Sequence, residues 1–449
     1  MDTLNLEKSR ALVERDKKVI APCQHLSYFP LAIEENHGAT LIDADGNRYI
    51  DFLSSASSLN LGGSHPEITN AIFKQLEKFA QYTPAYSYNE QTVAYAERLT
   101  SIYPGGISSK VAFGNCGSDG NDAAVKFARA YTGRQKIIVF MNGYHGNTYG
   151  SAAMTTCSRR MHEKMGPFLP EIYVFPFFGI DVDKETCETE CVKSIEEAFC
   201  NWLPPSEVAA VIIEPIQGDG GILPAHPIFM KRLYELCKKN EILFIAEEVQ
   251  QGFWRTGKWF SIEHYDIIPD GIVMGKSIGG SLTLGAFMAK SEIMNCLPAP
   301  AHLFTLGGNS LACAAGIAAF DYYSSEGFQS KLKTNISVLE EEAERLYKKH
   351  KDMVAFVRNI GLSMGIGICH SVIEPEKARD NDATFKILYR CFEKGLIVIS
   401  LAGNILRIQP PLIIDPEQIR MAFNILSDAI YDYKAGRIQD DVFVNRAGW

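Results

Sequence analysis

At 449 residues the chain can hold a large core and about two or three domains, and its 22% charged and 46% apolar content is that of an ordinary soluble globular protein. A net charge of -9 with no Lys/Arg block argues against nucleic acid and against a polybasic membrane surface as partners. No apolar run approaches the roughly 18 residues of a membrane helix, and the charged stretch Met1 to Lys18 lacks the apolar centre of a signal peptide. The 11 cysteines form no tight framework, and no histidine cluster follows Cys187 and Cys191. Free thiols in a reducing cytoplasm are therefore expected, with no metal site.

In chain order, Leu41 to Ile50 predicts a hairpin turning at Asp45-Gly46-Asn47. Gly62 to Pro66 breaks the chain before a helix over Glu67 to Phe79. Strands and helices then alternate, the pattern of a mostly parallel α/β sheet. Expected strands cover Val111 to Phe113, Ile137 to Phe140, Val208 to Ile213, Ile242 to Ala246, Ile272 to Met274 and Ala286 to Ala289. Expected helices cover Asn121 to Tyr131 and Ile228 to Lys239, with Asn115 to Gly120 as a loop. Beyond about residue 320 the texture changes. Ile336 to Tyr347 is amphipathic, and Asp415-Pro416 opens a helix as N-cap and first turn. Short strands are expected near Leu396 and Leu406. These elements predict a second, smaller domain.

The unusual residues gather at strand ends, where ligands bind in open α/β sheets. Gly117-Ser118-Asp119-Gly120 precedes a helix whose N-terminal N–H groups would hold a phosphate. Tyr144-His145-Gly146 offers an aromatic platform. Glu247 closes a wholly apolar strand and requires a cation or a proton. Lys276 follows Ile272 to Met274 among glycines, a setting suited to Schiff-base chemistry. Phosphate cradle, ring platform, buried carboxylate and lysine together fit pyridoxal 5'-phosphate.

The chain resembles the class III pyridoxal-phosphate aminotransferases of fold type I over nearly its whole length. The likeness rests on Gly117-Ser118-Asp119, Tyr144-His145-Gly146, Glu214 to Gly221, Glu247 to Gln250, Arg255-Thr256-Gly257, Gly275-Lys276 and Thr305 to Asn309. Pro300 to Thr305, Leu401 to Arg407 and the terminal Gly448-Trp449 resemble, more narrowly, the branched-chain amino-acid racemases of that class, the isoleucine 2-epimerases of lactic acid bacteria. The resemblance implies a large domain with a mostly parallel seven-stranded sheet over residues 56–320. A smaller α+β domain would come from residues 1–55 and 321–449. It implies that Lys276 carries the cofactor, with Gly117 and Ser118 holding its phosphate and Thr305 joining from a neighbouring subunit. Tyr144 would stack on the ring, Glu247 face the ring nitrogen, and Gln250 lie near the ring hydroxyl. Arg407 would take the substrate carboxylate, a fork suited to bidentate binding. The partner set is a small-molecule amino acid and further copies of the chain, as a dimer or tetramer with a shared active site.

Three positions depart from the family pattern. Glu247 stands where Asp is usual, Trp254 where a glycine is usual, and Ser310 where Pro is usual. Asp219 separates two reactions. As a free carboxylate opposite Lys276 it would be the second base of a racemase. Paired with Arg407, it would leave a class III aminotransferase that transfers an amino group to a 2-oxo acid.

Overall fold

The computed structural model describes residues 4–369 and 381–445, so Gly448-Trp449 lies outside the described residues. The chain forms two compact units, one of residues 66–324 and one of residues 1–65 with 325–449.

The first unit is built on a seven-stranded sheet. From edge to edge it runs Ser109–Gly114, Gly285–Lys290, Gly271–Met274, Leu243–Glu247, Val208–Ile213, Lys136–Phe140 and Ile172–Phe175. Gly285–Lys290 is antiparallel to both neighbours, and the other pairings are parallel. The central strands form because their runs are apolar. Every residue of Val208–Ile213 and of Gly271–Met274 is buried, as both faces of a covered parallel sheet require. The Gly117–Thr132 helix lays Ala124 and Ala128 on this sheet against Ile137, Val139, Ala210, Ile212, Ile245 and Val273. It ends at Gly133, whose φ of 70° suits a left-handed C-cap. The expected loop Asn115 to Gly120 is shorter than sequence suggests, because the helix already begins at Gly117. Asp119 turns the chain at once, its Oδ2 accepting the Asn115 N–H at 2.7 Å. The helix over Pro66–Leu76 likewise stops short of Phe79.

The second unit carries two four-stranded sheets. In one, the antiparallel strands Ile33–His37, Thr40–Asp43 and Arg48–Asp51 are joined by Leu396–Ile397, parallel to Arg48–Asp51. Asp43 shapes the hairpin turn, its Oδ1 accepting the N–H groups of Asp45 and Asn47 at 3.0 and 2.8 Å. The other sheet is antiparallel and contains Val354–Ile360, Ser363–Ile368, Ile405–Ile408 and Ile399–Leu401. Its first two strands are not anticipated from sequence. The amphipathic stretch Ile336 to Tyr347 is the second half of a longer helix, Glu326–Lys349. Residues 56–65, assigned on sequence to the large domain, pair with this unit. Gly38 bridges Gly63, and the Leu412 N–H donates to the Asn60 carbonyl at 2.7 Å.

Candidate active site

The parallel strands of the larger sheet end together, at Phe140, Ile213, Glu247 and Met274. The segments that follow carry nearly every residue singled out above. The first feature is a cradle at the start of the Gly117–Thr132 helix. Cys116, at the N-cap, supplies no side-chain hydrogen bond, which leaves first-turn N–H groups for a ligand. Glycine forms the walls. A Cβ at Gly275 would come within 2.9 Å of the Gly117 backbone, and one at Gly117 within 2.7 Å of Val249 Cγ1. At Gly146, where φ is +128°, a Cβ would lie 2.1 Å from Ser118 Oγ. The turn before Lys276, the start of the Gly117–Thr132 helix and the Tyr144 loop thus close on one small volume.

Lys276 opens a 3-10 turn over Lys276–Gly279 with a φ of 51°, a left-handed conformation for a side chain with a Cβ. Such a backbone costs on the order of 1–3 kcal/mol and persists only where surroundings impose it. Two residues on, Tyr95 Oη donates to the Ile278 carbonyl at 2.5 Å and helps to fix this turn. Gly316 lies beneath, where a Cβ would meet Ile278 O at 2.7 Å.

Three buried glutamates, Glu214, Glu247 and Glu248, stand at these strand ends. Burial drives Glu247 well above the usual carboxylate range; Glu214 and Glu248 add to this, and the Lys276 ammonium opposes it. Burial also pushes Glu214 up to about 7, against the Gly218 and Tyr144 N–H groups, with Asp219 raising it and Lys276 lowering it. Glu248 is pushed to about 7 by burial although Ser261 and Ile262 supply donors. Its oxygens accept the Ser261 N–H at 2.9 Å, the Ser261 hydroxyl at 2.8 Å and the Ile262 N–H at 2.7 Å.

Asp219 is buried in the turn that follows Ile216–Gln217. Tyr144 stands within electrostatic reach of it. Burial first, then Asp219 and more weakly Glu247, raise the Tyr144 phenol to about 12. Gln250 packs on the same turn, so closely that a Cβ at Gly218 would fall 2.1 Å from its Oε1. Lys276, Glu247, Asp219, Tyr144, Gly117, Ser118 and Gln250 therefore share one end of the sheet. Thr305 is exposed, in a loop whose Gly307 abuts the Phe113 carbonyl. Arg407 belongs to the second unit, on strand Ile405–Ile408. There it is buried, its Nε donating to Gln409 Oε1, whose Nε2 donates to Ser363 Oγ at 2.8 Å.

Sequence reasoning gave no role to Glu214, Val249 or His145. Glu214 had a signal, since it ends an all-apolar strand just as Glu247 does. His145 is buried and held neutral, its pKa lowered to about 4 by burial alone.

The Aminotransferase class-III family matches residues 22–430 of the chain. Isoleucine 2-epimerase of Lentilactobacillus buchneri is 41% identical over 99% of this chain and 99% of its own. Leucine/methionine racemase of Thermococcus litoralis is 33% identical over 98% of this chain and 100% of its own. The PLP-bound amine transaminase from an uncultivated Pseudomonas species superposes with a TM-score of 0.82 at 25% identity, covering 94% of this chain and 97% of that one. The seven-stranded, mostly parallel sheet and these matches agree: the chain belongs to the class-III aminotransferase family.

Proposed function

We propose that the chain is a pyridoxal-phosphate-dependent racemase or 2-epimerase of apolar, branched-chain amino acids. The residues fit the cofactor. The glycine-walled cradle at the Gly117–Thr132 helix leaves room and first-turn donors for a phosphate. The buried Glu247 calls for a cationic partner, which a protonated ring nitrogen supplies. The observation that carries the racemase reading is that Asp219, buried in the turn after Ile216–Gln217, and Lys276, after strand Gly271–Met274, lie at the same end of the sheet. The epimerase and racemase relatives, matched end to end, support the same reading.

Bound pyridoxal phosphate makes the substrate Cα–H acidic by drawing its electron pair into the ring. The chain does the rest. Gly117 and Ser118 would hold the phosphate, joined by Thr305 of a second copy. Tyr144 would stack on the ring, Glu247 would pair with its nitrogen, and Gln250 would serve its hydroxyl. Lys276 would anchor the cofactor and move the proton on one face of Cα, and Asp219 would move it on the other. Arg407 is assigned to the substrate carboxylate on the family likeness. Proton return to the face opposite its departure inverts Cα.

The test is incubation of holoenzyme with L-isoleucine, with and without 2-oxoglutarate, followed by chiral chromatography. Epimerisation without a 2-oxo acid, with deuterium entering Cα from deuterium oxide, is the expected result. A stoichiometric need for the 2-oxo acid would instead establish an aminotransferase, a reading favoured by the amine transaminase superposition.

We propose further that copies of the chain associate to share the site, as the Thr305 assignment requires, and that it works in the cytoplasm, a setting that suits its free cysteines. Leu303 and Leu306 beside Thr305 are exposed, and Tyr86 and Tyr88 are 86% and 100% exposed. So much open apolar surface marks an interface. A holoenzyme that sediments as a monomer at micromolar concentration would contradict it.

A further inference from the structure

Glu214 ends strand Val208–Ile213 and is 5% exposed. Its two oxygens serve two different loops. Oε1 accepts the Tyr144 N–H at 2.9 Å, and Oε2 accepts the Gly218 N–H at 3.0 Å. Tyr144 follows strand Lys136–Phe140, and Gly218 immediately precedes Asp219. A second tie joins the same two loops, where Gln217 Nε2 donates to the Met141 carbonyl at 2.7 Å. Gly218 is held from its other side by Gln250, which leaves no space for a Cβ.

We infer that Glu214 is a positioning residue, whose single carboxylate fixes the Tyr144 loop and the Gly218–Asp219 turn relative to each other. The inference rests on the roles proposed above for Tyr144 and Asp219. A carboxylate is required because both partners are donors. A carboxamide would accept one N–H and turn its own N–H₂ toward the other. Protonation has a milder form of the same effect, since one oxygen then becomes a donor. The charged and titratable groups facing Glu214 are Asp219 on its own turn, Lys276 after Gly271–Met274, and Glu247 at the end of Leu243–Glu247. Cys157 and, in the adjoining loop, Tyr144 and His145 complete the set. Burial brings the carboxyl to about 7, so both protonation states are accessible near neutral pH.

The test is amide hydrogen exchange by mass spectrometry on the holoenzyme and its Glu214→Gln variant. Segments 142–148 and 216–222 should exchange about 10- to 100-fold faster in the variant, the worth of a charge-assisted hydrogen bond. Strands Val208–Ile213 and Leu243–Glu247 should stay protected. The kcat for racemisation should fall by a similar factor, with KM changed less than about threefold, since a loosened base acts on the transition state. If the variant folds poorly, the wild type suffices. Corrected for intrinsic rates, exchange in both segments should quicken as pH falls from 8 to 6. Unchanged protection in both segments, or loss spread over the whole sheet, would overturn the inference. The exchange result needs no turnover, so it stands or falls separately from the racemase reading.

Discussion

Two neighbouring strand ends do different work with the same side chain. Val208–Ile213 and Leu243–Glu247 lie side by side, parallel and apolar, and each delivers a glutamate to the carboxyl edge of the sheet. At the first, Glu214 is met by two backbone donors from separate loops. At the second, burial raises Glu247 first of all, and after burial come charges, with Glu214 against its ionised form and Lys276 for it. Glu248 beside it is as deeply buried, yet is closed off by Ser261 and Ile262. Burial alone therefore does not mark a ligand-binding carboxylate. What completes each one does: a cation for Glu247, two loops for Glu214, and a helix start for Glu248.

The sharpest challenge to this ordering lies beyond all three, at Asp219. Asp219→Asn should lower racemisation by about 10²- to 10⁴-fold, the usual cost of a positioned general base. The visible chromophore should persist, because Lys276 and Glu247 are untouched. Near wild-type racemisation by this variant, measured by chiral chromatography, would remove Asp219 from the mechanism.

At Glu247, a neutral amide cannot complement a ring cation. Glu247→Gln should cost about 10- to 100-fold in kcat, matching roughly 1.5–3 kcal/mol for a charge-assisted bond. Glu247→Asp should keep most activity. Equal kcat in the Gln variant and the wild type would break the distinction between Glu247 and Glu248.

Glu248 should show itself in stability. Its folded pKa of about 7 lies above the ordinary 4.5, so the folded state holds the proton to higher pH than the unfolded chain. Its contribution is fully present below about 4.5 and is lost as pH rises through about 7. At about 1.4 kcal/mol per pKa unit this amounts to about 3.5 kcal/mol at most. The melting temperature of the apo-protein should accordingly decline between pH 5 and 8, and Glu248→Gln should flatten that slope. An identical slope in the variant would show that Glu248 is not among its causes.

The smallest effect belongs to Trp254, in the hairpin that returns Ser261 to Glu248. Phe253 and Trp254 both hold left-handed φ, at 55° and 67°, which explains a family glycine at the second position. Trp254 offsets this strain by lying 5.6 Å from the Trp259 ring, in a group that includes Phe320 and Tyr323. Relief of strain, on the order of 1–3 kcal/mol, offsets the loss of a ring pair and of the apolar surface it buries, which together come to about 2–3 kcal/mol. Trp254→Gly should therefore shift melting by about 4 °C or less, with the Glu248 slope retained. A drop of ten degrees would mean that the rings, and not the bonds to Glu248, hold this hairpin.

Much of this edge was legible because unbroken apolar runs ending in glycine or charge leave few alternatives to a buried strand. Lys276 and Glu247 stand out against such runs. Glu214 obeys the same rule, but Pro215 beside it suggests a plain turn. The early start of the Gly117–Thr132 helix was hidden by Gly117 and Gly120, poor helix formers used here for close approach. Ser363–Ile368 was missed for a related reason. Its Gly367 reads as a loop residue, yet the Phe356 ring covers it so closely that a Cβ would fall 2.4 Å away. The positions of Asp219 and Gln250 depend on contacts between separate loops, which spacing in one sequence does not encode.

The pairing of Leu396–Ile397 with Arg48–Asp51 also sets a schedule for the ribosome. The N-terminal hairpin is synthesised hundreds of residues before the strand that completes its sheet. At about 5–20 residues per second, it waits on the order of tens of seconds. Throughout that interval Arg48–Asp51 presents an open edge to any other nascent strand nearby. The seven-stranded unit, being continuous in sequence, can close first. Late in translation, then, the larger unit can be complete while the N-terminal hairpin still lacks its last strand, and a stop before Leu396 would leave that edge open.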